Sequence, residues 1–204
     1  MNAYLFSNEN YSITKGYKKD LYKIAEFVVK QNYIHHVGEY DKNIQQQIGE
    51  VYDEEYEYIR NSELFIAKDN KENIIGCIRT LKWNYIDSLP IEKIFNIDLK
   101  ELIDKFSNPT FWHIGRFAIN SKSNISNLTL FKQLMTFAIK PICSAPNNYF
   151  IAECDSKLLY IMELLGMKTQ RLSEGIFYLG SETIPVYSNR DGLIDFYNKH
   201  KYLC

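Results

Sequence analysis

Two segments that read as buried strands, FWHIGRFAIN (111–120) and YFIAEC (149–154), are separated by a polar loop and a helical stretch. Antiparallel neighbours can be joined by a tight turn, whereas a strand–helix–strand unit returns its second strand parallel or near-parallel to the first. This one unit restricts the topology, because the segments around it read as antiparallel. ELFIAK (63–68) and NIIGCIRTLKW (73–83) are joined by the polar turn DNKEN, a hairpin pattern. KTQRL and IFYLGSETIPVYS supply closing strands, and YSITK an early one. The first strand of the unit carries a second constraint. His113 and Arg116 interrupt an otherwise apolar run, with Gly115 between them. Regular alternation puts 113 and 116 on opposite faces. A bulge at Gly115 brings both to one cavity; equally, the glycine only spares a clash with a covering helix.

Helical spacing accounts for the other segments. Leu21, Ile24, Ala25, Val28 and Val29 form one face over 17–32, and Ile44, Ile48, Val51 and Tyr52 another over 42–60. A long connection over 84–110, punctuated by Pro90 and Pro109, holds a short helix at DLKELIDKF. A helix runs from about Ser126, a fitting N-cap, to Lys140. SKLLYIMELLG is a helix closed by Gly166, and RDGLIDFYNKHKYL a terminal one. The sum is an α/β sandwich on a mixed, mostly antiparallel sheet, expected as one domain over 1–204.

Composition narrows the function classes. With 24 basic and 25 acidic side chains the net charge is −1, so no global field favours nucleic acid or an anionic membrane. No apolar run approaches the ~20 residues of a membrane span, and the first residues do not read as a leader; a cytoplasmic protein is expected. Cys77, Cys143, Cys154 and Cys204 lack CxxC spacing and read as reduced, buried thiols, with Cys154 the candidate for reactivity. His35 and His36 lack partners at metal-ligand spacing, so a loop or packing role is expected and no metal.

The quoted segments, in this order, resemble the GNAT acyltransferase superfamily, in particular its branch of acyl-homoserine lactone (autoinducer) synthases and N-acyl amino acid synthases. WHIGRFAI is similar to the strand signature of that branch, IIGCIRTLKW with LPIEKIF to an earlier pattern, and EEYE (54–57) to its acidic element. Lys23, Phe27 and Tyr33 fall at the spacing of an arginine, a phenylalanine and a tryptophan, and YLGSETIPVYS is similar to the closing strand. The resemblance covers residues 20–188. His113 stands where the branch has a glutamate and Gly115 where it has a serine, so its proton-transfer arrangement does not carry over unchanged.

The resemblance implies a GNAT-like α/β/α sandwich in which the two strands of the parallel pair splay and receive the pantetheine arm of an acyl-ACP or acyl-CoA donor. It implies transfer of a medium or long acyl chain to the amine of an amino acid or related small metabolite. An ordinary N-acetyltransferase using acetyl-CoA and a non-catalytic binding relative are the alternatives. Acyl transfer to an amine needs a proton acceptor and a stabilised oxyanion. His113 is either that acceptor or a core histidine with one hydrogen bond. Arg79 and Arg116 need carboxylate partners in apolar strands; Glu54 and Glu57, three apart on a helix, are expected to supply them, to hold a polar acceptor, to lock helix to sheet, or both. The donor is expected along Phe117, Ala118, Ile119 and Cys154, and its phosphate at Lys122, Ser123 and Ser126, where a helix begins. That loop, NSKSNIS, has no glycine, which favours the single phosphate of a carrier-protein arm and makes an acyl carrier protein a candidate partner, with Lys122, Lys132 and Lys140 as contacts. Met162 occupies the position at which many acetyltransferases place an acidic tyrosine.

Overall fold

A computed structural model describes residues 4–36, 42–178 and 181–204; Leu179, Gly180 and the side chain of His36 lie outside the described residues. Nine strands form one sheet among those residues: β1 (Tyr4–Ser7), β2 (Tyr11–Lys15), β3 (Ser62–Asp69), β4 (Ile74–Lys82), β5 (Thr110–Ile119), β6 (Asn148–Asp155), β7 (Gln170–Arg171), β8 (Ile176–Tyr178) and β9 (Ser181–Asn189). Their order is β1-β2-β3-β4-β5-β6-β9-β7, with β8 also pairing β9. Neighbours are antiparallel except β5 and β6, the parallel pair expected from the strand–helix–strand unit.

The crossover between that pair is α5 (Asn127–Cys143), whose first turn is capped by Ser126 Oγ accepting from Thr129 N. Leu130, Leu134, Met135, Ala138 and Ile142 recur along one side of α5 and bury against the sheet together with Phe65, Ile78, Ile114 and Phe150. Each fully buried side chain of this size contributes about 1.5–3 kcal/mol. α6 (Ser156–Leu164) follows β6 directly, with Asp155 Oδ1 accepting from Leu158 N at 2.8 Å. It stops where the spacing predicts: Gly166 adopts φ +85°, and the amides of Gly166 and Met167 close on the carbonyls of Glu163 and Met162. α7 (Arg190–His200) packs on α5 through Leu193 and Phe196.

The opposite face of the sheet is covered by α1 (Leu21–His36) and α2 (Ile44–Tyr58). Leu21, Ile24 and Val28 meet Leu64, Ile66, Cys77 and Ala118 there. Farther along that face, α3 (Pro90–Phe95) and α4 (Leu99–Lys105) build a separate apolar cluster: Leu89, Ile91, Leu99 and Leu102 around Trp83, Phe111 and Ile151. Two elements escape the sequence reading, β1 and α3. Pro90 looks like punctuation but serves as the first helical residue of α3, where its missing N–H costs nothing. His35 lies in α1 rather than in a loop, and its Nε2 is 3.3 Å from the carbonyl of Ile119.

Candidate active site

Three adjacent strands place the chemistry. Arg79 of β4 is opposite Gly115 of β5, Leu81 opposite His113, and His113 in turn opposite Ile151 of β6. Alternation then brings Arg79, His113 and Glu153 to the face covered by α2, while Thr80, Ile114 and Ala152 point to α5.

A bulge adds Arg116 to the same face. Cys77 pairs with Ala118 and Arg79 with Gly115, so Ile78 alone stands opposite both Arg116 and Phe117. The residue that carries the unusual backbone is Arg116 itself, at φ +54°, rather than the neighbouring glycine. A left-handed conformation costs an ordinary residue of order 1–2 kcal/mol, which the ion pairs of Arg116 offset. Gly115 has its own reason: a Cβ there would lie 2.8 Å from Arg79 Nη2 and 3.2 Å from His113 Cε1. It leaves room for the buried guanidinium, not for a covering helix.

The resulting cluster is a chain of charges. Arg116 donates from Nε to Glu55 Oε1 at 2.8 Å and from Nη2 to Glu54 Oε2. Glu55 Oε1 is also 3.4 Å from Arg79 Nε. Arg79 Nη2 donates to His113 Nδ1 at 2.8 Å, and His113 Nε2 reaches both oxygens of Glu153, at 3.0 and 2.9 Å. Arg79, His113 and Glu55 are each 1% exposed. Two donors of Arg79, Nε and Nη1, have no aligned hydrogen-bond partner among the described residues. A guanidinium only donates, so Nδ1 of His113 accepts and its ring hydrogen sits on Nε2, directed at Glu153. Burial alone would raise the carboxyl of Glu55, but Arg79 and Arg116 outweigh it and hold it below the ordinary value. The same contest at Glu153 is won by His113 and Arg79, again lowering it. Glu54 and Glu55 push the other way on Arg116, whose burial they override, raising its pKa.

Beside this cluster β5 and β6 part. Their pairing runs Thr110↔Asn148 to His113↔Ile151 and ends there. β5 continues for six residues, 114–119, and β6 for four, 152–155, with no further register between them. β6 stays paired on its far side to β9 as far as Asp155↔Thr183. Phe117, Ala118 and Ile119 belong to the part of β5 beyond its last pairing with β6, and Cys154 to the corresponding part of β6. At the head of α5, Asn120 organises the loop by accepting from Lys122 N through its side chain and from Ser123 N through its carbonyl, both at 3.0 Å. Two amides expected to face a phosphate are therefore taken up within the turn, and Ser126 is engaged as the cap.

No family model matches the sequence, and no curated protein matches it. Solved structures do. FeeM, an N-acyl amino acid synthase from uncultured soil microbes, superposes with a TM-score of 0.60 at 13% identity over 91% of this chain and 94% of its own. A GNAT-family acetyltransferase from Staphylococcus aureus Mu50 gives 0.56 at 13% identity, over 88% and 99%. This chain has the GNAT fold. The acyl-homoserine lactone synthase LasI gives 0.59 at 14% identity over 97% and 96%, a likeness of fold. The opening at His113↔Ile151 sits at the parallel pair of the GNAT sheet, where the splay was expected.

Several sequence expectations need correction. Glu57 is exposed and pairs with neither arginine; Glu55 does so instead. Residues two apart on a helix are about 200° apart, so a helix that aims Glu55 at the sheet aims Glu57 at solvent. Glu55 was legible: it falls seven residues after Ile48, on the buried stripe that continues to Tyr58. Glu153 was missed although it alternates with Ile151 on the face of His113. Cys154 is buried and its thiol is pushed well above the ordinary range by burial and by Glu153 and Asp155, which removes it as a reactive thiolate. Met162 is fully buried and Tyr160 exposed. Two tyrosines come near the cluster instead: Tyr58 of α2, whose ring centroid is 5.2 Å from Arg79 Cζ, and Tyr178 of β8, whose phenol is raised by burial and by Glu54, Glu50 and Glu153. Among the described residues no group of three His, Cys, Asp or Glu side chains is placed to hold a metal ion, and no helix is long and apolar enough to cross a membrane.

Proposed function

We propose that this chain is an N-acyltransferase of GNAT type, one catalytic domain over 1–204, that moves an acyl group from an acyl-ACP or acyl-CoA thioester to the amine of an amino acid or related small metabolite. The observation that carries this reading is the end of the β5–β6 ladder at His113↔Ile151 beside a buried charged cluster. Backbone groups that lose their strand partner need another one, and the amides of a pantetheine arm supply it along Phe117, Ala118 and Ile119. The thioester carbonyl then lies next to the cluster. The neutral amine attacks that carbonyl and gives up a proton as the C–N bond forms; the C–S bond breaks, and the thiolate takes a proton. A backbone N–H of the unpaired end of β5 faces the oxyanion. Of the residues expected at the phosphate, Lys122 offers its side chain near the head of α5, while the amides of Lys122 and Ser123 and the Ser126 Oγ are engaged within the loop.

The apolar cluster of Trp83, Leu89, Ile91, Leu102, Phe111 and Ile151 adjoins His113 on the same face. Its side chains are at most 5% exposed, so the medium or long acyl chain that the sequence resemblance implies would have to part them. The acceptor does not gain a free guanidinium from Arg116, whose Nε and Nη2 are committed to Glu55 and Glu54. Their role is to brace α2 on the sheet.

The test is thioester consumption by the purified chain, with acetyl, octanoyl and palmitoyl donors on coenzyme A and on acyl carrier protein, against a panel of amino acids and amines. Amine-dependent release of thiol from the longer donors is expected. Turnover of acetyl-CoA alone would move the chain to the N-acetyltransferases, and no turnover with any donor would remove the enzymatic reading.

A further inference from the structure

The histidine that the sequence singles out has no nitrogen left for the acceptor. Its Nδ1 is occupied by Arg79 and its Nε2 by Glu153. For Nδ1 to pick up a proton, that N–H would face an Arg79 N–H at 2.8 Å, donor against donor. Both guanidiniums already have carboxylates: Arg116 has Glu54 and Glu55, and Arg79 shares Glu55. Glu153 is the carboxylate of the cluster with no guanidinium in direct contact, and its side chain keeps 12% exposure while His113 keeps 1%. It also stands on β6 two residues beyond the last paired position, Ile151, inside the stretch that β5 has left. Across β9 it faces Pro185, which has no N–H to offer.

We infer that Glu153 is the catalytic residue that takes the proton from the acceptor amine, and that His113 is a positioning residue which holds the Glu153 carboxylate through Nε2–H while Arg79 fixes the imidazole from behind. This rests on the acyltransferase reading above. The step balances without a further reagent. One carboxylate oxygen accepts the proton from the amine nitrogen as the C–N bond forms, and the carboxyl returns it to the sulfur as the C–S bond breaks. The fold provides no tyrosine at the position of Met162, so a group that both accepts and returns the proton fills the gap. Groups facing Glu153 are His113 from β5 and Arg79 from β4, with the Tyr178 phenol of β8 near it.

Two experiments separate this from the alternatives. The first needs no turnover: 15N NMR of the His113 ring near neutral pH is expected to show hydrogen on Nε2 and a bare Nδ1, and hydrogen on Nδ1 overturns the assignment. The second is kinetic, with the thioester and amine that the wild-type chain turns over. Glu153→Gln is expected to lower kcat by about 10²–10⁴-fold, with little change in KM for the donor. His113→Asn and His113→Gln, which keep an N–H donor, are expected to retain more rate than His113→Leu. With Glu153 as the base, the wild-type rate is expected to fall only below the ordinary glutamate value, where its carboxyl takes up a proton, and Glu153→Gln is expected to lose that limb. A Glu153→Gln protein with wild-type kcat, or equal losses in all three His113 variants together with an acid limb that Glu153→Gln retains, overturns the inference while leaving the acyltransferase reading in place. If the wild-type chain turns over no thioester, the acyltransferase reading falls, and the ring tautomer still decides whether His113 is held as described.

Discussion

Arg79 and His113 are diagonal neighbours across the β4–β5 ladder, and the 2.8 Å contact from Nη2 to Nδ1 ties a fully buried guanidinium to the ring at the mouth of the strand opening. Around that contact the remaining charges arrange themselves: Glu55 behind Arg79, Arg116 beyond Glu55, and Glu153 in front of the imidazole.

Removing Arg79 should therefore be costly twice over. Arg79→Leu leaves Arg116 as the single cation facing Glu54, Glu55 and Glu153, a loss of about 3–5 kcal/mol measurable by urea denaturation. Arg79→Lys should fall between, because one ammonium cannot reach Glu55 and His113 together. A change under about 0.5 kcal/mol, the level of an ordinary surface substitution, would contradict the burial.

The two neighbouring acids of α2 should behave unlike each other. Glu55→Gln leaves Arg79 and Arg116 sharing a neutral amide and should cost about 3–5 kcal/mol. Glu57→Gln, on the solvent side, should stay within about 0.5 kcal/mol. Comparable losses in both variants would restore the assignment of Glu57 that the spacing first suggests.

Much of this arrangement was legible in the sequence. The parallel pair, the hairpin of β3 and β4, the helix after Ser126 and the stop at Gly166 all follow from period and punctuation. Those signals are local, so one chain suffices to read them. The oddity of two basic residues around Gly115 pointed to a buried charged cluster, because burying them needs compensation wherever they go. What was not legible is which partner each one takes. Glu55 and Glu57 differ by a rotation that depends on how α2 docks. Glu153 comes from a strand forty residues away, and its relation to His113 exists only through the register of β5 and β6. The bulge was expected at the glycine but is carried by Arg116, since only the ion pairs formed after folding make that conformation tolerable.

Gly115→Ala should test the close approach. A methyl group would meet Arg79 Nη2 at 2.8 Å, so the guanidinium or the strand must shift, at about 1–3 kcal/mol. Activity should fall more than stability, because the contact that moves is the one holding His113. An alanine variant with unchanged stability and rate would show the space to be unimportant.

Acid should weaken the fold through the same cluster. Glu55 and Glu153 are held below their ordinary value in the folded chain, so the unfolded chain binds more protons as the pH drops. Their stabilisation is complete above the ordinary value of 4.5 and is lost as the pH falls through the lower folded values. Stability followed by denaturation should decline below that point, and Glu153→Gln should make the decline shallower. An identical slope in the variant would show that Glu153 does not titrate as described.

The central claim is that the opening between β5 and β6 beyond His113 and Ile151 receives a thioester arm, and a crystal structure with a non-hydrolysable long-chain acyl-CoA thioether tests it most directly. The account predicts the pantetheine amides hydrogen-bonded to the backbone of Phe117, Ala118 or Ile119, with the sulfur beside Glu153. Strands paired without a break to Ile119, or a ligand seated elsewhere on the chain, would contradict it.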